Sequence, residues 1–144
     1  MRIAIANDHS SIELKNDIKL YLESLGHGVV NFGTNTKESV DYPDYAALVA
    51  KAVLADEVDR GILICGTGLG MAIAANKIKN IRAGVCSDTF TAKMAKAHND
   101  CHIICFGSRV VGIELAKEIV DSFINAKFEG GRHCTRVDKI MALE

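Results

Sequence analysis

The sequence predicts a single α/β domain with a three-layer, Rossmann-like (flavodoxin-like) architecture. Short runs rich in Ile and Val alternate with longer stretches whose apolar residues recur about every 3.6 positions. Each short run is almost continuously apolar, as expected for parallel strands covered by helices on both faces. A length of 144 residues suits one hydrophobic core, and no linker or repeat interrupts the alternation. We therefore predict one domain over residues 1–144.

The first βα unit illustrates the pattern. The apolar run Arg2–Ala6 ends abruptly at polar residues, which predicts a strand followed by a turn. The stretch Ser11–Leu25 carries an apolar stripe that includes Ile18 and Leu22, and Gly26 follows as a helix-ending glycine.

Four more units follow in the same style. The remaining strands are predicted at Gly28–Phe32, Gly61–Ile64, Arg82–Val85 and His102–Phe106, and the remaining helices at Asp44–Ala55, Leu69–Ile78, Thr89–Ala97 and Gly112–Asn125. Right-handed crossovers favour a five-stranded parallel sheet of order 2-1-3-4-5.

Residues 130–144 form a surplus C-terminal helix without a strand of its own. Val137, Ile140 and Met141 mark its apolar side. Such a helix either covers its own sheet or packs on a partner subunit and helps to form a dimer.

Composition excludes several classes of protein. Eighteen acidic residues balance 17 basic ones, and aromatic residues are few, so we expect neither a nucleic-acid nor a membrane partner. The apolar start is too short for a signal peptide or a membrane span. Five cysteines without a CxxC pair indicate the reducing cytoplasm. Cys101, His102 and Cys105 lack a second ligand pair, so we assign them to core packing and predict no metal and no cofactor.

Polar residues follow the strands that should flank the ligand-binding crevice. In the predicted strand order, this crevice lies between the carboxyl ends of strands one and three. Strand one runs into Asn7-Asp8-His9, and strand three runs into Cys65-Gly66-Thr67-Gly68. The sequence therefore predicts a functional site at this edge of the sheet.

The segment Cys65–Gly70 suggests an anion-binding loop. Its alternating glycines allow successive N–H groups to converge, and the following helix adds its positive dipole end. A cysteine there favours the thiolate form. A tight turn with a buried, inert thiol is the alternative. A nicotinamide site is disfavoured, because the glycines read G-x-G-x-G rather than G-x-G-x-x-G.

Three other features have both a functional and a structural explanation. Asp8 and His9 are placed to hold a hydroxyl or ring oxygen and a phosphate, respectively, or Asp8, Ser10 or Ser11 simply starts the first helix. His98 and Asn99 are an acid–base pair or a helix C-terminal pair. Arg132 and Arg136, at i,i+4 spacing, form a phosphate clamp or a solvated surface pair.

The motifs together resemble the ribose-5-phosphate isomerase B family, which also contains allose-6-phosphate and galactose-6-phosphate isomerases. The resemblance covers the whole chain and rests on segments that occur in the family's order. These segments are Asp8-His9, Asp41–Tyr45, Cys65–Gly70, His98–Asp100, Gly107-Ser108-Arg109 and Arg132–Val137.

The resemblance implies metal-free interconversion of ribose 5-phosphate and ribulose 5-phosphate through a cis-enediolate. Cys65 would be the base, supported by Thr67, and His98 with Asp8 would open the sugar ring. The backbone amides of Gly66, Gly68, Leu69 and Gly70, with Asn99, would stabilise the enediolate. His9, Arg109, Arg132 and Arg136 would hold the phosphate, and Tyr42 would line the sugar pocket. The resemblance further implies a homodimer or tetramer in which subunits share the site.

Two departures from the family pattern concern the first loop. Ser10-Ser11 stand where Ala-Gly or Gly-Gly is usual, and Ala6-Asn7 lead into the motif. Neither departure removes a catalytic group. They leave open a hexose 6-phosphate as substrate, and a non-catalytic phosphosugar-binding domain is a further alternative.

Overall fold

The computed structural model describes residues 1–144 and contains five strands and six helices. The strands are β1 (Arg2–Asn7), β2 (Gly28–Asn31), β3 (Arg60–Cys65), β4 (Ala83–Val85) and β5 (Ile103–Gly107). The helices are α1 (Ile12–Ser24), α2 (Tyr42–Leu54), α3 (Leu69–Asn76), α4 (Thr89–Ala97), α5 (Ile113–Asn125) and α6 (Arg132–Met141).

All five strands are parallel, which confirms the predicted fold class. The order is β2-β1-β3-β5-β4, so the last two strands exchange places relative to the predicted order. Burial explains the exchange: every residue of β5 is buried, whereas the three residues of β4 are only partly buried. The fully apolar strand takes the interior position and the short one takes the edge.

Helices cover both faces of the sheet. One core joins α1, α4 and α5 to side chains such as Ile5, Ile64 and Phe106, and the other joins α2 and α3 to side chains such as Leu63 and Cys105. The chain therefore forms three layers, as predicted. None of the helices has the length and apolar character needed to cross a membrane.

The exposed edge of the sheet at β4 is closed by one side chain. The Asn76 amide donates to the Ala83 carbonyl at 2.8 Å, and the Ala83 N–H donates to the Asn76 Oδ1 at 2.8 Å. Asn76 thus satisfies both backbone groups of Ala83, which a further strand would otherwise pair with.

Helix α6 packs at the amino-terminal edge of the sheet. Its buried residues are His133 and Val137. The guanidinium of Arg82, just before β4, donates to the Met141 sulfur at 3.2 Å, and the His133 ring stacks on His98, which follows α4. The C-terminal helix therefore contacts its own chain, and its remaining face is exposed.

Candidate active site

A tight loop connects β3 to α3 at the carboxyl edge of the sheet. Gly68 adopts φ +82°, and a Cβ at this position would lie 2.8 Å from the Phe106 backbone. Only glycine fits both the backbone conformation and the close approach to β5. This packing sets the path of the loop from Cys65 to Gly70.

The loop holds the Cys65 thiol in place. Cys65 is 5% exposed, and the Gly68 N–H donates to its Sγ at 3.1 Å. The Leu69 N–H donates to Thr67 Oγ1 at 3.3 Å. The thiol is thus buried, as one alternative required, and it accepts a backbone hydrogen bond of the kind that stabilises a thiolate.

Residues from α2 and from the loop after β5 lie over this segment. The Tyr42 ring packs on Gly70, where a Cβ would meet the ring at 2.6 Å, and the Arg109 guanidinium lies over Gly66. The Ser108 N–H donates to the Cys65 carbonyl at 2.8 Å. Because β5 adjoins β3, with Gly107 opposite Cys65, the structure brings Arg109 to the cysteine loop.

Asp8 and His9 follow the neighbouring strand β1. Asp8 Oδ1 accepts from the Ser10 N–H at 2.9 Å and from the Ser10 hydroxyl at 2.6 Å, while Ser11 is the N-cap of α1. The Asp8 side chain therefore does not cap the helix. The Val40 N–H donates to His9 Nδ1 at 3.2 Å, so a neutral His9 ring carries its proton on Nε2.

A polar cleft of about 330 Å³ lies beside these residues. His9 and Arg109 line it together with seven residues that the sequence interpretation did not assign to the site, among them Ser11, Lys37 and Ser108. The Ser11 and Ser108 hydroxyls are 2.7 Å apart although 97 positions separate them in the chain. Lys37 lies between predicted elements, and no local pattern marks it as a site residue.

The residues considered so far form one group, which we call the carboxyl-edge site. It comprises Asp8, His9, Tyr42, Cys65, Gly66, Thr67, Gly68, Leu69, Gly70 and Arg109.

The remaining predicted site residues lie elsewhere and form the amino-edge cluster: His98, Asn99, Arg132 and Arg136. His98 is the C-cap of α4, and its ring stacks on His133 with centroids 4.1 Å apart. The His98 Nε2 lies 3.5 Å from a Glu129 carboxylate oxygen. Arg132 and Arg136 are exposed on α6.

The two groups lie at opposite ends of the sheet. Cys65 ends β3, whereas the segment carrying His98 precedes β5, which runs parallel to β3. The six residues of β3 span about 20 Å. A single chain therefore does not bring His98 to Asp8 or Cys65, and the loop before β5 does not fold back to the carboxyl edge.

The other cysteines near the sheet are buried, and the predicted core packing of Cys101 and Cys105 is confirmed. Burial raises the pKa of Cys86 to about 12 and that of Cys101 to about 11, and it raises the pKa of Cys105 well above its ordinary value. The His102 Nδ1 accepts from the Arg82 N–H at 3.2 Å. These side chains serve packing and local backbone hydrogen bonding.

Comparison with known proteins gives consistent matches over the whole chain. The Ribose/Galactose Isomerase family matches residues 3–140. Ribose-5-phosphate isomerase B of Escherichia coli K12 is 52% identical over 99% of this chain and 96% of its own. D-erythrulose-4-phosphate isomerase of Pectobacterium atrosepticum is 45% identical over 97% and 93%, respectively.

Solved structures agree with these sequence matches. Clostridium thermocellum ribose-5-phosphate isomerase B is 52% identical, with a TM-score of 0.97 over 99% of this chain and 97% of that one. The Mycoplasma genitalium enzyme, solved with bound ribulose 5-phosphate, is 42% identical, with a TM-score of 0.93 over 99% and 95%. The resemblance identified from the motifs is thereby confirmed.

Proposed function

Since this chain belongs to the ribose/galactose isomerase family, we propose that it interconverts ribose 5-phosphate and ribulose 5-phosphate. The observation that carries the proposal is the Cys65 thiol, held by the Gly68 N–H at the edge of the sheet where Asp8, His9 and Arg109 converge. Isomerisation of an open-chain sugar phosphate needs a base for the proton transfer and groups that bind the hydroxyls and the phosphate. Cys65 provides the base, and Asp8, His9 and Arg109 provide the binding groups.

The proton transfer takes place at Cys65. The thiolate removes the proton from C2 of the open-chain aldose, and the electron pair moves to give a cis-enediolate. The Cys65 thiol then returns the proton to C1 while a proton passes from the C2 hydroxyl to O1, which yields the ketose with its C2 carbonyl and C1 hydroxyl. N–H groups of the loop from Gly66 to Gly70, with Asn99, stabilise the enediolate oxygen, and Thr67 supports the thiol.

The phosphate binds at cationic groups of both regions. His9, with its Nε2 proton available, and Arg109 act from the carboxyl-edge site. Arg132 and Arg136 act from the exposed face of α6. Tyr42, packed on Gly70, lines the sugar pocket, and His98 with Asp8 opens the furanose ring.

The complete site requires a second copy of the chain. The amino-edge cluster of one subunit must meet the carboxyl-edge site of its partner, because one chain holds the two groups apart. Exposed apolar side chains of α3 and α4 support such an interface: Leu69 is 57% exposed, Ile73 61% and Phe90 72%. We therefore propose a homodimer, alone or within a tetramer, with sites shared between subunits. With five free cysteines, the cytoplasm is the proposed compartment.

A coupled assay on ribose 5-phosphate, allose 6-phosphate and galactose 6-phosphate tests the proposal. We expect turnover to be highest with ribose 5-phosphate. Cys65→Ala should lower kcat by about 100- to 10,000-fold, because the variant lacks the base, with little change in KM. The exposed Cys134 offers a matched control, since Cys134→Ala should keep full activity.

Two results would contradict parts of this proposal. If the protein converted none of these sugar phosphates, or if the Cys65→Ala variant were as active as the parent, the proposed mechanism would be contradicted. Preference for a six-carbon substrate would keep the mechanism and reassign the sugar. The Ser10 and Ser11 hydroxyls at the cleft are the features of this chain that favour testing that alternative.

A further inference from the structure

Two imidazoles and a carboxylate converge where α4 ends and α6 begins. The Nε2 atoms of His98 and His133 lie 3.5 Å and 3.9 Å from the same Oε2 of Glu129. One ligand atom from each residue lies within 4.8 Å of the other two. The two rings stack with an interplanar angle of 13°, so both present the same edge to Glu129.

These residue types and distances are close to those of a three-ligand zinc site. Zinc binds His nitrogen and carboxylate oxygen at about 2.0–2.2 Å, which places tetrahedral ligand atoms about 3.3 Å apart. Two of the distances in the cluster approach this separation, and the stacked rings must tilt apart for both Nε2 lone pairs to point at one ion. Two His and one Glu with an open fourth position are a known protein ligand set for zinc.

We propose that His98, Glu129 and His133 bind a divalent transition-metal ion, with Zn²⁺ as the ion that best matches the ligand set. The three side chains differ in exposure, and therefore in their ability to move toward an ion. His133 is 10% exposed and fixed by its packing, whereas His98 is 37% and Glu129 56% exposed, so these two can move to meet the metal.

The surrounding charges both favour and oppose metal binding at this cluster. Burial, with the charges of nearby groups including Arg132 and Arg136, lowers the pKa of His133. A lowered pKa favours the neutral imidazole, which is the form that ligates a metal. The same two guanidiniums repel a divalent cation and weaken its binding, while the Glu129 carboxylate partly offsets them.

The consequence for activity rests on the proposed function. A metal ion on His98 Nε2 occupies the nitrogen that would exchange a proton with the sugar during ring opening. The bound ion and the ring-opening step therefore exclude each other. The cluster would make the isomerase reversibly sensitive to free Zn²⁺.

Cobalt titration of the whole protein tests the site without reference to activity. Co²⁺ should give the visible absorption of a tetrahedral site, and Zn²⁺ should displace it. Glu129→Gln should weaken binding by at least about 10- to 100-fold, the loss that removal of an outer-shell partner already causes. Glu114→Gln, another exposed carboxylate, and Cys134→Ala should both bind Co²⁺ as the parent does.

The same samples separate this inference from the proposed function. A thiolate-to-cobalt charge-transfer band, or equal affinity in the Glu129→Gln variant, would overturn the metal site. Zn²⁺ should inhibit turnover of ribose 5-phosphate over the concentration range in which it binds, chelation should restore the rate, and Glu129→Gln should be less sensitive relative to its own metal-free rate. Cobalt binding without any isomerase activity would support the site and remove the proposed function. Full isomerase activity without a cobalt spectrum would support the proposed function and overturn the metal site.

Discussion

The carboxyl-edge site and the amino-edge cluster differ in how they are built. The Cys65 loop is fixed by backbone contacts: Gly68 lies against Phe106, and the Cys65 carbonyl accepts from Ser108. At the other edge, Arg132 and Arg136 project from a terminal helix, and His98 is held mainly by side-chain contacts. The sheet itself therefore positions the proposed base, whereas the groups that we propose for phosphate binding and ring opening would depend on how subunits assemble.

The largest expected effect tests whether the two regions cooperate across subunits. A chain with Cys65→Ala and a chain with both His98→Asn and Arg136→Ala should each be severely impaired as homodimers. Co-expression should restore about a quarter of parental activity, because half of the randomly formed dimers are mixed and one of their two sites is intact. Differently tagged chains allow the mixed dimers to be isolated and assayed.

No recovery in isolated mixed dimers would mean that all these groups act within one chain. A control pair combining Cys65→Ala with Cys65→Ser should show no recovery in either case.

A smaller effect compares the phosphate ligands of the two regions. Arg109→Ala and Arg132→Ala should each raise KM about 10- to 100-fold, since a charge-assisted hydrogen bond contributes about 1.5–3 kcal/mol. Lys139→Ala on the same helix α6 is the matched control and should leave KM unchanged. An effect of Arg109→Ala alone would exclude α6 from the phosphate site.

A modest effect is expected from the serine that follows the β1 motif. Ser10→Ala removes the 2.6 Å hydrogen bond to Asp8 Oδ1 but keeps the backbone donor at 2.9 Å. We expect kcat/KM to fall about 2- to 10-fold, because only one of the two donors is lost. Ser24→Ala, which removes a hydroxyl contact at the far end of α1, serves as the control. A gain in activity on a hexose 6-phosphate would instead identify Ser10 as a determinant of substrate length.

The smallest effect concerns pH and His102, a half-buried histidine at the amino edge of the sheet. Burial, and then the charge of Arg82, lowers the pKa of His102 from 6.5 to about 4. Between these values the unfolded chain binds more protons than the folded one, so the free energy of unfolding falls as pH drops through this window. His102→Asn should reduce the loss of stability between pH 7 and pH 5, measured by urea unfolding at both values. His27→Asn, in the turn after α1, should not reproduce this change.

Much of the fold was predictable because the local signals are abrupt. Every strand, and every helix from α1 to α5, ends within two residues of its predicted bound, as at Asn7 and Ser24, where polar residues or Gly26 stop the apolar pattern. Helix α6 ends at Met141, three residues before its predicted bound at residue 144. The order of β4 and β5 was not predictable in this way. It depends on which strand the finished core buries more completely, and neighbouring residues do not encode that comparison.

The candidate site was likewise only partly predictable from the local sequence. The Cys65 loop and the Asp8-His9 pair were predictable, because strand ends and the crevice rule identify them without distant contacts. The Ser11–Ser108 contact joins residues 97 positions apart, and the His98–His133 stack depends on where α6 docks. Such pairs require the packed structure, because nothing in the local sequence links them.

The Asn76 amide also affects whether the β4 edge can pair with a strand of another chain. An unpaired edge strand is a template for sheet extension and aggregation. By taking both backbone groups of Ala83, Asn76 removes from the β4 edge two hydrogen-bonding groups that another strand would use. Loss of this amide, as in Asn76→Ala, would leave the Ala83 N–H and carbonyl free to pair with a strand of another chain.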